Sequence, residues 1–213
     1  MTHCPLVRYP DRCVILAPQY AGSVEYYAVM VRYGMACIDN SLRYDKRFKS
    51  VHRMDIAGTS GRQTLTVPVS RPSGARMWSE VLVSPHNEWW SEHMTALESA
   101  YGRTPYFEFY APYLRQIICR GSVGKAVTDL DAELDALVRR LLGLTTIVSD
   151  AVPEGVSVDD MRRTGFDTPV PMPDYYQIRA ARLGFMPNLS VLDLLFNLGP
   201  EAAIYLKDFD EKR

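Results

Sequence analysis

The 213-residue sequence is short of most features that would announce a specialised class. It has no run near the roughly 18 apolar residues needed to cross a bilayer; Ala136-Leu137-Val138 and Leu194-Leu195-Phe196 are soon interrupted by charge or Asn. Met1 to Leu6 lacks the basic start, apolar centre and small-residue cleavage site of a signal peptide, so a cytoplasmic location is expected. Cysteine is scarce. Cys4, Cys13, Cys37 and Cys119 form no close pair of the zinc or thioredoxin kind, so free thiols are expected. Histidine is scarcer in useful places. His86 and His93 are the nearest metal-like pair, but on a helix they would be about 10 Å apart along the axis, against ligand distances of about 2 Å. No bound cofactor or metal is therefore expected. Charge of one sign is also missing: 24 basic residues face 25 acidic ones, for a net charge of -1. The basic block Arg43, Lys46, Arg47, Lys49, His52 and Arg53 is interleaved with Asp39, Asp45 and Asp55. That suits one or two phosphates or a carboxylate, not a nucleic-acid duplex. Gly-x-Gly-x-x-Gly, P-loop, zincin and nucleophile-elbow motifs are all lacking.

What is present is a core-forming pattern: 47% hydrophobic residues in a length that one core can serve. Residues 1–213 are expected to form a single α/β domain, with one mixed sheet, flanking helices and a helical C-terminal half. Cys13–Leu16, a helix over Val24–Tyr33 ending near Gly34, and Met35–Ile38 outline a crossover unit with parallel strands. Arg53–Ala57 and Gln63–Val69 flank the turn Gly58-Thr59-Ser60-Gly61, with Pro68 marking an edge, and Met77–Val83 reads as a further strand. Trp90, Met94, Leu97 and Tyr101 form one helical stripe. Pro112 is expected to end the aromatic segment Tyr106–Tyr110. Ala126–Leu142 reads as a helix with Asp129, Asp131, Glu133, Asp135 and Arg139 on its outer face. Thr145–Val148 is the last expected strand, and residues 150–174, rich in Pro, Gly and Asp, a long surface loop. Ser190 with Asp193 approximates a capping box before a final helix broken at Gly199-Pro200.

Few side chains stand out for chemistry. His93 borders its helical stripe and is placed either in the core or on a cleft, where an imidazole with an ordinary pKa near 6.5 would serve as general base. Lys49, His52 and Arg53 beside the Gly58–Gly61 turn would grip an anion, Arg53 through its bidentate fork, unless they are merely a solvated face. Trp89 belongs either to the core or to an aromatic wall that stacks on a sugar or base. Tyr20 follows the first strand, a common ligand-facing position in α/β folds. Asn197, one helical turn after Asp193, is either a ligand contact or a cap. The expectation is that His93, Arg53, Tyr20 and Asn197 share a pocket.

Several blocks resemble the WbqC-like protein family: Pro18-Gln19-Tyr20 with Glu25-Tyr26-Tyr27, His52-Arg53 with Ile56 to Gly61, and Leu65-Thr66-Val67-Pro68-Val69. Trp89, His93, Leu97, Tyr101 and Pro105-Tyr106-Phe107 continue the likeness, and Gly184-Phe185-Met186-Pro187-Asn188-Leu189-Ser190 with Asp193 to Asn197 and Gly199-Pro200 is its most specific part. The family's Tyr-Arg-Asn-Arg is replaced by Ser50-Val51-His52-Arg53, so its first Arg is missing and Lys49 stands in as substitute. The resemblance implies a bacterial or phage-like origin and a link to surface polysaccharide, lipopolysaccharide or O-antigen assembly. It implies no settled reaction. Group transfer onto an activated or amino sugar is the leading expectation. His93 would be the base, and Gln19, Tyr20, Lys49, His52, Arg53, Trp89, Asn188, Asp193 and Asn197 would contact substrate. The partners would be a small polar or phosphorylated sugar and an activated acyl or aminoacyl donor, with no duplex nucleic acid and no membrane insertion. A non-catalytic sugar or nucleotide-sugar binding protein is the alternative, and an enzyme acting with an aminoacylated tRNA donor a third.

Overall fold

The computed structural model describes residues 9–163, 166 and 172–208. β1 (Tyr9–Leu16), α1 (Val24–Met30) and β2 (Tyr33–Ile38) form the crossover unit, with β1 and β2 parallel and Val14 opposite Ala36. All seven residues of α1 are buried, which suits a helix with almost no polar face. Ser23 caps it by accepting a hydrogen bond from the Tyr26 amide at 3.3 Å. Gly34 is required where β2 crosses the start of β1: a Cβ there would lie 2.0 Å from the Pro10 carbonyl oxygen.

The chain is α/β, with a helical C-terminal half, but its strands are divided differently from the single mixed sheet expected. The main sheet is wholly parallel, in the order β7-β2-β1-β8, where β7 is Ile147–Ser149 and β8 is Ser157–Asp160. Two antiparallel pairs stand apart from it: β3 (Arg53–Gly58) with β4 (Gly61–Thr66), and β5 (Val69–Ser70) with β6 (Leu82–Val83). Pro68, which has no amide hydrogen to give a ladder, separates β4 from β5. Met77–Val83 is mostly a short helical turn, Trp78–Glu80, followed by β6.

Residues 150–174 are not simply a loop. β8 lies within them and pairs with β1 from Arg12↔Ser157 to Ile15↔Asp160. Its alternation is polar because it is an edge strand: the Asp159 carboxylate accepts from Tyr33 Oη at 2.9 Å and pairs with Arg12. The remainder of that expected loop falls partly outside the described residues.

α2 (Trp89–Tyr101), α3 (Phe107–Ile117) and α4 (Val127–Leu142) cover the middle of the chain. Asn87 and Glu88 have positive φ, so His86 sits on a separate turn before α2. α3 runs through Pro112, which forfeits one helical hydrogen bond without ending the helix. α4 corrects another expectation. Asp131 and Asp135 are buried, not on its outer face. Asp135 accepts from Tyr27 Oη at 3.0 Å and Arg139 Nε at 2.7 Å. Asp131 has no hydrogen-bond partner among the described residues, and burial pushes its carboxyl well above the usual range. α5 (Ala180–Leu183), α6 (Val191–Leu198) and α7 (Ala202–Asp208) close the described chain. α6 is capped by Ser190, which accepts from the Leu192 amide at 3.3 Å, and only Leu198 of its residues escapes full burial.

Candidate functional site

After β1 the chain turns through 17–23, crosses to the β3–β4 hairpin and meets residue 190. Backbone hydrogen bonds fix this arrangement: Tyr20 N to Ser50 O at 2.9 Å, Ser190 N to Asp55 O at 2.7 Å, and Val191 N to Gly22 O at 2.8 Å. They leave a cleft of about 330 Å³ between the turn, the hairpin and the 188–190 segment. Gln19, Tyr20, Lys49, Arg53 and Asn188 all line it.

Arg53 is half-buried, and its Nε, shielded from solvent, has no hydrogen-bond acceptor among the described residues. A buried guanidinium donor without a partner is unfavourable unless an acceptor arrives, and an anion in the cleft would supply it. Lys49 is exposed at the rim. Arg62 reaches Asp55 Oδ2 at 3.0 Å and also the Pro187 carbonyl, while Thr64 Oγ1 donates to Asp55 Oδ1 at 2.6 Å. Lys49, Arg53 and Arg62 thus set three cations against the carboxylate of Asp55.

Asn188 holds one wall. Its backbone has φ +52, its Oδ1 accepts from the Glu25 amide at 3.0 Å, and its Nδ2 donates to the Phe166 carbonyl at 2.7 Å and to Glu25 Oε2 at 3.2 Å. Its amide is committed to structure, so what it offers the cleft is shape. Gln19 similarly uses Oε1 on the Ser23 amide at 3.4 Å.

The other expected site residues lie elsewhere, and His93 is the main correction. It is buried, its Nδ1 is 2.9 Å from Tyr20 Oη, and its Nε2 is 3.2 Å from the Thr66 carbonyl. A carbonyl only accepts, so Nε2 carries the proton and Nδ1 accepts from the Tyr20 hydroxyl. Burial lowers its pKa to about 4, against a weaker upward effect of the Thr66 bond. It does not line the cleft, and neither nitrogen is available to a substrate. Trp89 is buried beside it, with ring centroids 5.2 Å apart, and belongs to the core. His52 turns the other way: Nδ1 donates to the Val67 carbonyl at 3.2 Å, its ring lies near Trp78, and burial lowers its pKa.

Asp193 and Asn197 share a helical face as expected, but that face points into the core. Asp193 Oδ2 accepts from Tyr175 Oη at 2.6 Å and Gln177 Nε2 at 2.9 Å. Asn197 Oδ1 accepts from the Ile178 amide at 3.0 Å, and its Nδ2 returns to the Asp193 carbonyl at 2.7 Å. The pair fastens residues 175–178 to α6. The shared pocket therefore keeps Tyr20 and Arg53 and loses His93 and Asn197.

Asp55, Arg62 and Thr64 carry no motif that marks them in the sequence, although strand geometry contains them. Residues two apart on a strand share a face, so Arg53 in a cleft brings Asp55 with it. The register across Gly58–Gly61 then sets Asp55 opposite Thr64 and Ala57 opposite Arg62. Among the described residues, no group of three or more His, Cys, Asp or Glu is placed to hold a metal ion. No helix among them is long and apolar enough to cross a membrane.

Compared with known families, residues 17–164 match the model of the WbqC-like protein family. That range contains the post-β1 turn and the whole β3–β4 hairpin, and stops before the 184–200 block. No curated protein and no solved structure matches the chain.

Proposed function

The chain belongs to the WbqC-like protein family, and on that premise we propose that it binds a small anionic sugar derivative and transfers a group onto it in bacterial surface polysaccharide assembly. The observation that carries this reading is Arg53, whose buried Nε has no acceptor among the described residues, in a cleft it shares with Lys49 and Arg62. A phosphate or carboxylate on the ligand completes that donor set, since a guanidinium offers paired hydrogen bonds to such groups. Ser23, Ser50 and Thr64 also line the cleft, and of these Ser23 Oγ is bonded to the Tyr26 amide and Thr64 Oγ1 to Asp55. His93 cannot be the base of this reaction, because it is sealed behind Tyr20. Asp55 takes that role: among the described residues it is the carboxylate that lines the cleft, and it accepts the proton of an incoming amine or hydroxyl as that group bonds to the acyl carbon of an activated acyl or aminoacyl donor and the donor's carrier leaves with the electron pair of the broken bond. A cytoplasmic location belongs to the same reading.

Calorimetry with sugar 1-phosphates and their unphosphorylated counterparts tests the binding step. Equal affinity for the two would sink the reading. Turnover is tested by mass spectrometry on amino and activated sugars offered acyl and aminoacyl donors.

The non-catalytic reading, a sugar or nucleotide-sugar binding protein, has one observation in its favour. Asp55 is already tied to Arg62 and Thr64, which stiffens it as a recognition element and opposes proton transfer. Saturable binding without conversion across a donor panel would select it.

A further inference from the structure

β1 lies between β2 and β8, and the chain leaves β1 for β2 through α1. The carboxyl ends of β1 and β8 therefore flank the point where the strand order reverses. Open parallel sheets leave a ligand crevice at such a point, because connections on its two sides depart in opposite directions.

A second cleft of about 440 Å³ opens there, within the roughly 300–1,000 Å³ typical of small-molecule sites. Ala17 and Gln19 reach it from the end of β1, and Arg162 and Arg163 from just beyond β8. The intervening wall is the 42–50 segment.

Its charges are not all neutralised. Arg47 is paired with Asp45 at 2.6 Å, and Arg162 with Asp39 at 2.6 Å and Asp160 at 2.7 Å. Arg43 and Arg163 make no hydrogen bond and no ion pair among the described residues, although the Arg163 charge adds to the Arg47 bond in lowering the Asp45 carboxyl and to the Arg162 bond in lowering that of Asp160. Two guanidinium groups without a bonded acceptor on one cleft suit a ligand that carries two phosphates. The wall also has an apolar side. Tyr44 is held rigid between Trp78, with ring centroids 4.6 Å apart, and the Arg71 guanidinium, 4.5 Å from its ring. Phe48 is half-buried, packs on the core with one side and lines the cleft, with no aromatic ring against it among the described residues.

We propose that this second cleft is a nucleoside-diphosphate subsite, with the diphosphate held by Arg43 and Arg163 and the base against Phe48. Gln19 and Ser50 line both clefts. A sugar joined to the diphosphate passes them into the first cleft, so the whole ligand is a nucleotide-linked sugar. That extension rests on the sugar reading above, whereas the nucleotide subsite itself does not.

The test is isothermal titration of the full chain with uridine, adenosine, guanosine and thymidine diphosphates, and with inorganic pyrophosphate. At least one nucleoside diphosphate should bind about tenfold tighter than pyrophosphate, the size of one base–ring stacking contact. Arg43→Ala with Arg163→Ala should weaken it by roughly a hundredfold, consistent with two lost charged hydrogen-bonding groups. Phe48→Leu keeps an apolar filler and should lower affinity towards that of pyrophosphate, and Arg53→Ala should leave it within about twofold, since Arg53 lies outside this cleft. Circular dichroism and thermal melts establish that each variant is folded. No saturation by any of the nucleotides at millimolar concentration, equal binding of pyrophosphate, or an unchanged affinity in the double arginine variant each overturns the subsite. Sugar 1-phosphate binding is titrated separately against Arg53→Ala, so failure of the sugar site reads out independently of the nucleotide site.

Discussion

Tyr20 and His93, 73 residues apart, are joined by a hydrogen bond of 2.9 Å inside the core, the tyrosine hydroxyl donating to Nδ1. It holds the Tyr20 ring in the core, behind the 20–23 turn that lines the cleft. His93 thus belongs to the core behind that turn and not to the cleft.

That burial gives His93 a pH signature. Its folded pKa of about 4 lies below the unfolded value of about 6.5, so the unfolded chain takes up a proton first as pH falls. The stability linked to neutral His93 is complete above pH 6.5 and drains away between about 6.5 and 4, on the order of 3 kcal/mol in all. His93→Gln should be less stable than the parent at pH 7.5, with the gap narrowing at pH 4.5. Urea unfolding at the two pH values checks it; a constant gap would mean that the imidazole is not held neutral.

Asp193 acts in the opposite sense. Burial raises its pKa to about 6, above the unfolded value near 3.8, so the folded chain holds a proton there that the unfolded chain has lost. Its contribution is present below about pH 4 and is lost as pH rises through 6. Asp193→Asn keeps an acceptor for Tyr175 and Gln177 but removes the ionisation. Its stability should fall less than the parent's between pH 5 and 7, as read from melting temperatures across that range.

Arg53→Lys retains the charge and loses the fork. Affinity for a sugar 1-phosphate should drop by about tenfold, the loss of one charged hydrogen bond, with little change in melting temperature. Asp55→Asn should keep binding and abolish turnover if Asp55 is the base. Equal losses of binding and turnover would assign it to recognition alone.

Asn188 is both strained and heavily bonded. Asn188→Ala should destabilise the chain by roughly 2–4 kcal/mol, combining lost buried hydrogen bonds with the positive φ. Asn188→Gly relieves only the backbone and should recover part of that, about 1 kcal/mol. Chemical denaturation of the two variants separates the contributions; identical losses would place the whole effect in the side-chain bonds.

What local chemistry controls is legible along the chain. The crossover β1–α1–β2, the Gly58–Gly61 hairpin and the Ser190 cap follow from side-chain periodicity, turn residues and capping chemistry, each acting over a few residues. Tertiary structure alone decided that β8 joins the sheet despite its polar composition, because its pairing with β1 is made by backbone groups at an edge. It also decided which polar residues face inward. His93, Asp193 and Asn197 have the composition of a site, yet their partners, Tyr20, Thr66, Tyr175, Gln177 and Ile178, arrive from distant segments and satisfy them in the core. Burial of a polar group depends on the partner that meets it there, and no spacing along the chain specifies that meeting.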